Sequence, residues 1–362
     1  MLKILDKYII KKYLSTFFFV MLLFTMIATA IDFSDKIQDY IDEPCTKKEI
    51  IFDYTINFIL FINGMLMPIY VLIGVIFFTA RMAENAEMIS ILNAGVPFSR
   101  ILRPYLIAGS VVTILYLLGT HYFVPNGNKH KLDFERKYIH KRSDKGKKDN
   151  VHLFIGKDSK AYIRYYSPSD SMIRDLRIEK IEQGEVKGIL EASSAQWHGN
   201  TQKWTLTSYE IRSFNDMKET LIKNYVTSLD TALNLHPRDF VFYENEKDRM
   251  TTPELLQGIN QERLRGSFNP KNFEIEFHRR TAEPFMVLIL TVLGLSIAGR
   301  KVRGGMGLHL AIGIGLGAVY IFISRFSATF ANSNDLPAYV GVWIPNILYG
   351  IIAAYTVVKA QK

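Results

Sequence analysis

Six apolar stretches flank a polar insert, three on each side, and no other feature of this chain constrains its fold as tightly. They run near Phe17–Ile31, Ile56–Ala80, Ile101–Val124, Phe285–Ala298, Leu308–Ser324 and Val340–Val358. Most reach or approach the ~20 residues that a helix needs to cross a ~30 Å hydrocarbon core. Lipid offers backbone N–H and C=O groups no partners, so each stretch is predicted to close its hydrogen bonds internally, as a helix. The chain therefore reads as a polytopic α-helical membrane protein with six transmembrane helices, three plus three. Its parts are residues 1–124 (helices 1–3), 125–272 (a domain inserted between helices 3 and 4) and 273–362 (helices 4–6).

The net charge of +9 acquires meaning only when it is sorted by side. With the N-terminus inside, the inner short segments hold twelve basic residues: Lys3, Lys7, Lys11, Lys12, Arg81, Arg100, Arg103, Arg300, Lys301, Arg303, Lys359 and Lys362. The outer short loops hold four, Lys36, Lys47, Lys48 and Arg325. That excess predicts cytoplasmic termini and an external insert. The insert is itself basic, but long domains translocate largely regardless of charge. The sole cysteine, Cys45, falls in the first outer loop and has no partner for an intramolecular disulfide. The N-terminus imitates a secretory signal, with Lys3–Lys12, an apolar run and Ala28-Thr29-Ala30. Because Ile31, Ile37 and Ile41 continue a helical pattern, it is read instead as a retained first transmembrane helix.

Residues 32–53 read as an acidic loop, and Pro68 with Gly74 predicts a kink or a hinge in the second helix. Between helices 2 and 3, Met88, Ile91 and Leu92 recur at helical spacing, and Gly95 and Pro97 stop the pattern. A short amphipathic helix is predicted over about 82–95. It either lies on the bilayer surface or docks a cytoplasmic partner, with Glu84 and Glu87 facing that partner's basic groups.

The insert opens on a cationic run: Lys129, Lys131, Arg136, Lys137, Lys141, Arg142, Lys145, Lys147 and Lys148. This run is either a solvated face or an attraction for phosphorylated lipid headgroups. Strand chemistry follows at 161–166, 172–181, 186–195, 204–214 and 220–227, broken by turn residues, and predicts an antiparallel sandwich or jelly roll. Thr252-Pro253-Glu254 predicts a helix start with Thr252 as its cap. Helix 5 carries Gly305, Gly307, Gly313, Gly315 and Gly317, of which Gly313 and Gly317 have the spacing for close helix approach.

The chemistry that would mark an enzyme is missing. No G-x-x-x-x-G-K-[ST], G-x-S-x-G or H-E-x-x-H occurs, and the eight histidines are scattered. Ionisable residues are sparse within the apolar stretches, and Asp32 and Arg325 fall at helix ends. A large amphiphilic substrate and an external energy source are therefore expected, with no cofactor held by this chain and no nucleic-acid partner.

Several motifs together resemble the lipopolysaccharide-export permease family, the LptF/LptG (YjgP/YjgQ) proteins. Ile4-Leu5-Asp6-Lys7-Tyr8-Ile9-Ile10 is similar to the family's opening, closer to the LptG side. Glu87 to Gly95 followed by Arg100 resembles its cytoplasmic coupling helix. Glu276-Phe277-His278-Arg279-Arg280 with Pro284 resembles its approach to helix 4. The resemblance implies an inner-membrane permease subunit of a Gram-negative bacterium, with a periplasmic jelly-roll-like domain. Such a subunit pairs with a second permease of the family and binds a cytoplasmic ATPase dimer that supplies ATP and Mg. The resulting ABC transporter extracts lipopolysaccharide and passes it to a periplasmic jelly-roll bridge protein for outer membrane biogenesis. Helices 1 and 5 of opposite subunits are the implied lateral gates, and Glu87 the implied ATPase contact.

One departure matters. Relatives of the LptG kind carry basic residues at the outer end of helix 1, whereas this chain has Asp32 and Asp35. The headgroup candidates that remain are Lys36, Lys47, Lys48, Lys129, Lys131, Arg136 and Lys137, together with the partner subunit. A rival reading from another class is a scaffold that relays ATPase motion to a periplasmic partner without handling lipid.

Overall fold

The computed structural model describes residues 3–139, 149–167, 170–215, 218–225, 228–237, 246–265, 270–299, 305–332 and 336–360. Helix α1, Ile4–Asp42, is unbroken over 39 residues. No Gly or Pro interrupts that sequence, so the helix takes in the basic approach and half of the acidic segment expected to be a loop. It ends where Glu43 precedes Pro44, whose ring drives the preceding residue to the extended conformation seen there (φ −106°, ψ 145°).

A π-helical turn, Glu49–Thr55, leads into α2, Ile56–Glu84, which runs through Pro68. Gly74 serves close packing: a Cβ there would lie 3.2 Å from the Phe17 Cα of α1. After Ala86, in the left-handed region at φ 58°, comes α3, Glu87–Asn93. It is shorter than expected because α2 absorbs residues up to Glu84. Gly95, at φ 81°, turns the chain towards α4, Phe98–Leu118.

The third span does not stop at Val124. It continues through the π-helical turn Gly119–Phe123 into α5, Val124–Phe134, and a last π-helical turn, Glu135–Ile139. Hydropathy places the start of the insert at 125 because polar residues begin there. Phe134 and Tyr138 nevertheless recur on one face and bury against Tyr54, Phe58 and Ile62, and this amphipathic packing extends the helix.

The chain divides into two compact units: 1–139 with 247–255 and 271–362, and 140–246 with 256–270. In the second unit, β1 (Asp149–Gly156), β2 (Ser159–Ser167), β3 (Met172–Glu182), β4 (Glu185–His198), β5 (Lys203–Asn215) and β6 (Lys218–Asn224) follow one another as antiparallel neighbours. A short β7, Leu229–Thr231, pairs with the start of β5. The inserted domain is thus antiparallel β, as its turn spacing predicts. Among the described residues its strands form one sheet in meander order, without the crossings of a two-sheet sandwich. Val151, Ile163, Ile173, Leu176, Ala195 and Leu206 build its core around the buried Trp204, whose indole N–H donates to the Leu235 carbonyl at 2.7 Å.

The chain returns through α6, Glu246–Arg249, and α7, Thr252–Arg265. The cap of α7 is Thr251 rather than Thr252: its N–H and hydroxyl both donate to the Glu254 carboxylate (2.7 and 2.9 Å). Then come α8 (Pro270–Ala298), α9 (Gly305–Asn332) and α10 (Ala338–Ala360). The six helices long and apolar enough to cross a membrane are α1, α2 with its leading turn, the third span Phe98–Ile139, α8, α9 and α10. Val71, Leu72, Val75 and Ile76 of α2 and Met286, Val287, Leu290 and Leu293 of α8 form the centre of the bundle. Of the most apolar windows, 56% in α2 and 61% in α8 is buried, against 11% in α1 and 22% in α9. The unpartnered apolar surface therefore lies chiefly on α1 and α9.

Candidate functional site

The short helix α3 sits on the bundle through Met88, which is buried, and Ile91, which packs against the same core. Its opposite side exposes Ile89, Ser90, Leu92 and Asn93. A 7-residue helix is marginal alone, so these packed residues and the two positive-φ residues flanking it hold it in place.

Polar contacts tie the segment around α3 to the start of two spans. The Tyr8 hydroxyl of α1 donates to the Glu87 carboxylate at 3.1 Å. Glu84, ending α2, accepts the Met306 N–H of α9 at 2.8 Å, an acidic group on the first turn of a helix. Arg100, on the first turn of α4, forks both guanidinium arms onto Asp6 of α1 at 2.7 Å each. Asp6 also accepts the Lys3 N–H at 2.8 Å. Asp6 is only 3% exposed, and a carboxylate so placed persists because a bidentate partner compensates its lost water. Glu84 and Glu87 therefore both hold their own chain, Glu87 with one oxygen towards Tyr8 and the other accepting from the Asn85 side-chain amide at 3.4 Å, and the Arg100 head is committed to Asp6. Gly95 is the left-handed turn that ends the segment.

At the other end of α1, Lys36 lies among oxygens. It donates to Asp32 at 2.8 Å and to Glu135 at 3.1 Å, and also contacts the Tyr54 hydroxyl. Tyr54 in turn donates to Asp32 at 3.0 Å, and Lys131 pairs with Glu135 at 3.1 Å while lying 4.7 Å from the centre of the Phe61 ring. Two lysines and two carboxylates thus form a neutral network walled by Tyr40, Tyr54, Phe58 and Phe134. Among the headgroup candidates, Lys36 and Lys131 are engaged there, Arg136 pairs with Asp133, and Lys137 pairs with Glu49. Lys47, Lys48 and Lys129 are exposed. Lys141, Arg142, Lys145, Lys147 and Lys148 lie outside the described residues, as do Arg300, Lys301 and Arg303.

The approach to the fourth span is a buried ionic cluster that hydropathy did not reveal. Glu276 accepts from Arg279 at 2.9 Å and from Arg280 at 2.9 Å, one turn along α8. Arg280 also donates to the Lys247 carbonyl at 3.0 Å, and Arg279 reaches Asp248 at 3.5 Å. Burial, reinforced by Glu276, pushes the Asp248 carboxyl above its ordinary range, while Arg279, Lys247 and Arg280 oppose the shift. The Tyr116 hydroxyl donates to Glu283 at 3.2 Å, beside Pro284, and Arg279 lies 3.9 Å from the same carboxylate. His278 stands apart, edge-on to Tyr339. The cluster fastens the returning chain to α8.

Gly313 and Gly317 face α2 of their own chain: a Cβ on Gly313 would meet Ile76 at 2.5 Å, and one on Gly317 would meet Ile69 and Leu72 at 3.4 Å. Gly307 and Gly315 face open space. The sequence reading missed Asp6, Tyr8, Tyr54, Glu135, Asp248 and Glu283 as members of these clusters. Two signals were present: Lys131 with Glu135, and Arg279 with Glu283, are spaced one helical turn apart. The ion pairs and side-chain contacts of the others with distant elements form only through the fold.

The family model described as lipopolysaccharide export system permease LptF/LptG matches residues 7–359. A search of curated proteins found no match.

Proposed function

This chain belongs to the LptF/LptG family of lipopolysaccharide export system permeases, and from that premise we propose that it is a non-catalytic permease subunit of an ATP-driven exporter. The observation that carries the reading is the match over nearly the whole chain, both membrane halves and the insert included. In this reading both termini and α3 are cytoplasmic and the β domain is periplasmic, in the orientation that favours inner Lys and Arg. A separate cytoplasmic ATPase dimer, carrying ATP and Mg, docks on α3. Glu87 lies beside that docking face, and the exposed Ile89 and Leu92 give it apolar area. A second permease of the family and lipopolysaccharide share the apolar faces of α1 and α9. The lipid then passes along the β domain to a periplasmic jelly-roll bridge. The opening Ile4–Ile10, which resembles the LptG side, supports the LptG-like seat.

The test is Glu87→Arg, with Glu87→Ala as the milder variant, in the full chain expressed with its partners. Reduced co-purification of the ATPase, or lost lipid export with the protein still inserted, is the expected result. Normal export and normal co-purification in both variants sink the reading. Photocrosslinks from α1 or α9 to lipopolysaccharide separate transport from a scaffold, which predicts none.

A further inference from the structure

α1 touches the third span through ionic contacts at both of its ends. At one end Arg100 forks onto Asp6. At the other, Glu135 accepts from Lys36 at 3.1 Å, and Lys36 is itself held by Asp32 and Tyr54. Between them Tyr13 stacks on Tyr105, with ring centres 6.0 Å apart.

The spacing is informative. The two contacts are 30 residues apart on α1 (36 − 6) and 35 apart on the third span (135 − 100), and both run in the same direction along the chain. Thirty residues at ~1.5 Å rise cover about 45 Å. A bilayer with its headgroups is ~40–45 Å thick around a ~30 Å hydrocarbon core. Both ionic contacts therefore fall at the headgroup levels, where charge is affordable, and the apolar stretch between them is left to packing. The outer network is neutral in itself, two lysines against two carboxylates, so it has no charge left over for a phosphate.

We propose that α1 and the third span are one rigid lever, riveted by Asp6–Arg100 at one end and by Lys36–Glu135 at the other, with α3 as its handle. The handle joins the lever directly: α3 ends at Asn93, and Arg100 lies on the first turn of α4. A displacement of α3 then moves α1 as a body, although α1 is the span with the least buried surface. Asp6, Arg100, Lys36 and Glu135 are positioning residues, and Lys36 is a strut rather than a headgroup contact. The proposal rests on the reading that an ATPase docks on α3.

The test uses the full chain, purified with its partners into nanodiscs. Spin labels are placed pairwise on exposed residues of α1 and the third span, Lys7 with Arg103 and Gln38 with His130, in a Cys45→Ser background. In the otherwise unaltered protein both distances stay constant between the nucleotide-free state and the vanadate-trapped state. In Asp6→Asn combined with Lys36→Gln both distributions broaden, ATP hydrolysis persists, and lipid exported per ATP falls. A distance that changes between nucleotide states without these substitutions overturns the lever, and so does unchanged coupling in the double variant. If the unaltered protein neither binds an ATPase nor exports lipid, the functional reading fails. The lever is then judged on the nucleotide-free distributions alone: broadening in the double variant supports it, and no change overturns it.

Discussion

Glu276 and Arg280 sit one helical turn apart on α8, 5% and 4% exposed, and make each other tolerable. Removing one partner of such a pair strands the other charge, which typically costs about 3–5 kcal/mol, whereas replacing both with apolar groups of similar volume is often nearly neutral. Arg279 also pairs with Glu276, Asp248 and Glu283, so Glu276→Leu is the change that strands a charge, that of Arg280, and it is expected to lower the thermal unfolding temperature of the detergent-solubilised chain sharply. Adding Arg280→Met should recover much of the loss, and a double variant no more stable than the single would refute that view of the cluster. The same logic separates the lysines on the side of Lys36. Lys36 and Lys131 are neutralised by Asp32 and Glu135, while Lys47, Lys48 and Lys129 remain exposed. In sequence these five residues looked equivalent. What sets Lys36 and Lys131 apart is the carboxylates they meet: Asp32 lies one helical turn from Lys36 and Glu135 one from Lys131, and the Lys36–Glu135 contact joins separate helices.

At the scale of elements, existence and type were legible and boundaries were not. Every apolar stretch is a helix, because lipid-compatible sequences of that length have no other way to satisfy their backbone. The helices outrun the stretches, since amphipathic packing continues where hydropathy stops: α8 begins at Pro270 rather than Phe285, and the third span ends at Ile139. Five strands were predicted near their positions, while β1 and β7 were missed. The glycines of α9 show what periodicity leaves open. Gly313→Leu drives a side chain into Ile76 and is expected to destabilise the bundle by about 1–3 kcal/mol. Gly315→Leu points into open space and should leave the unfolding temperature nearly unchanged. Equal losses from the two variants would show that α9 is not packed on α2 in this register.

For the molecule as a whole, the uneven burial of the spans sets the expectation. α2 and α8 form the interior, and α1 and α9 carry apolar faces that nothing among the described residues covers. Photoreactive residues at Leu22 and Phe322, both exposed, are expected to crosslink to a second permease or to lipopolysaccharide in membranes. One at Leu290, fully buried, should give neither. Crosslinks equal at all three positions would contradict the placement of α1 and α9 at the functional surface.

The sequence by itself determined the number of spans, the antiparallel character of the insert and the family, because these depend on length, periodicity and local motifs. The short helix after the second span was legible for the same reason. The tertiary structure alone decided which charges are paired and which helices those pairs join. Asp6 with Arg100, Lys36 with Glu135 and Glu84 with Met306 are separated by 94, 99 and 222 positions. No local pattern encodes such pairings: an ion pair or helix cap of this kind forms only where folding brings its two halves within hydrogen-bond reach.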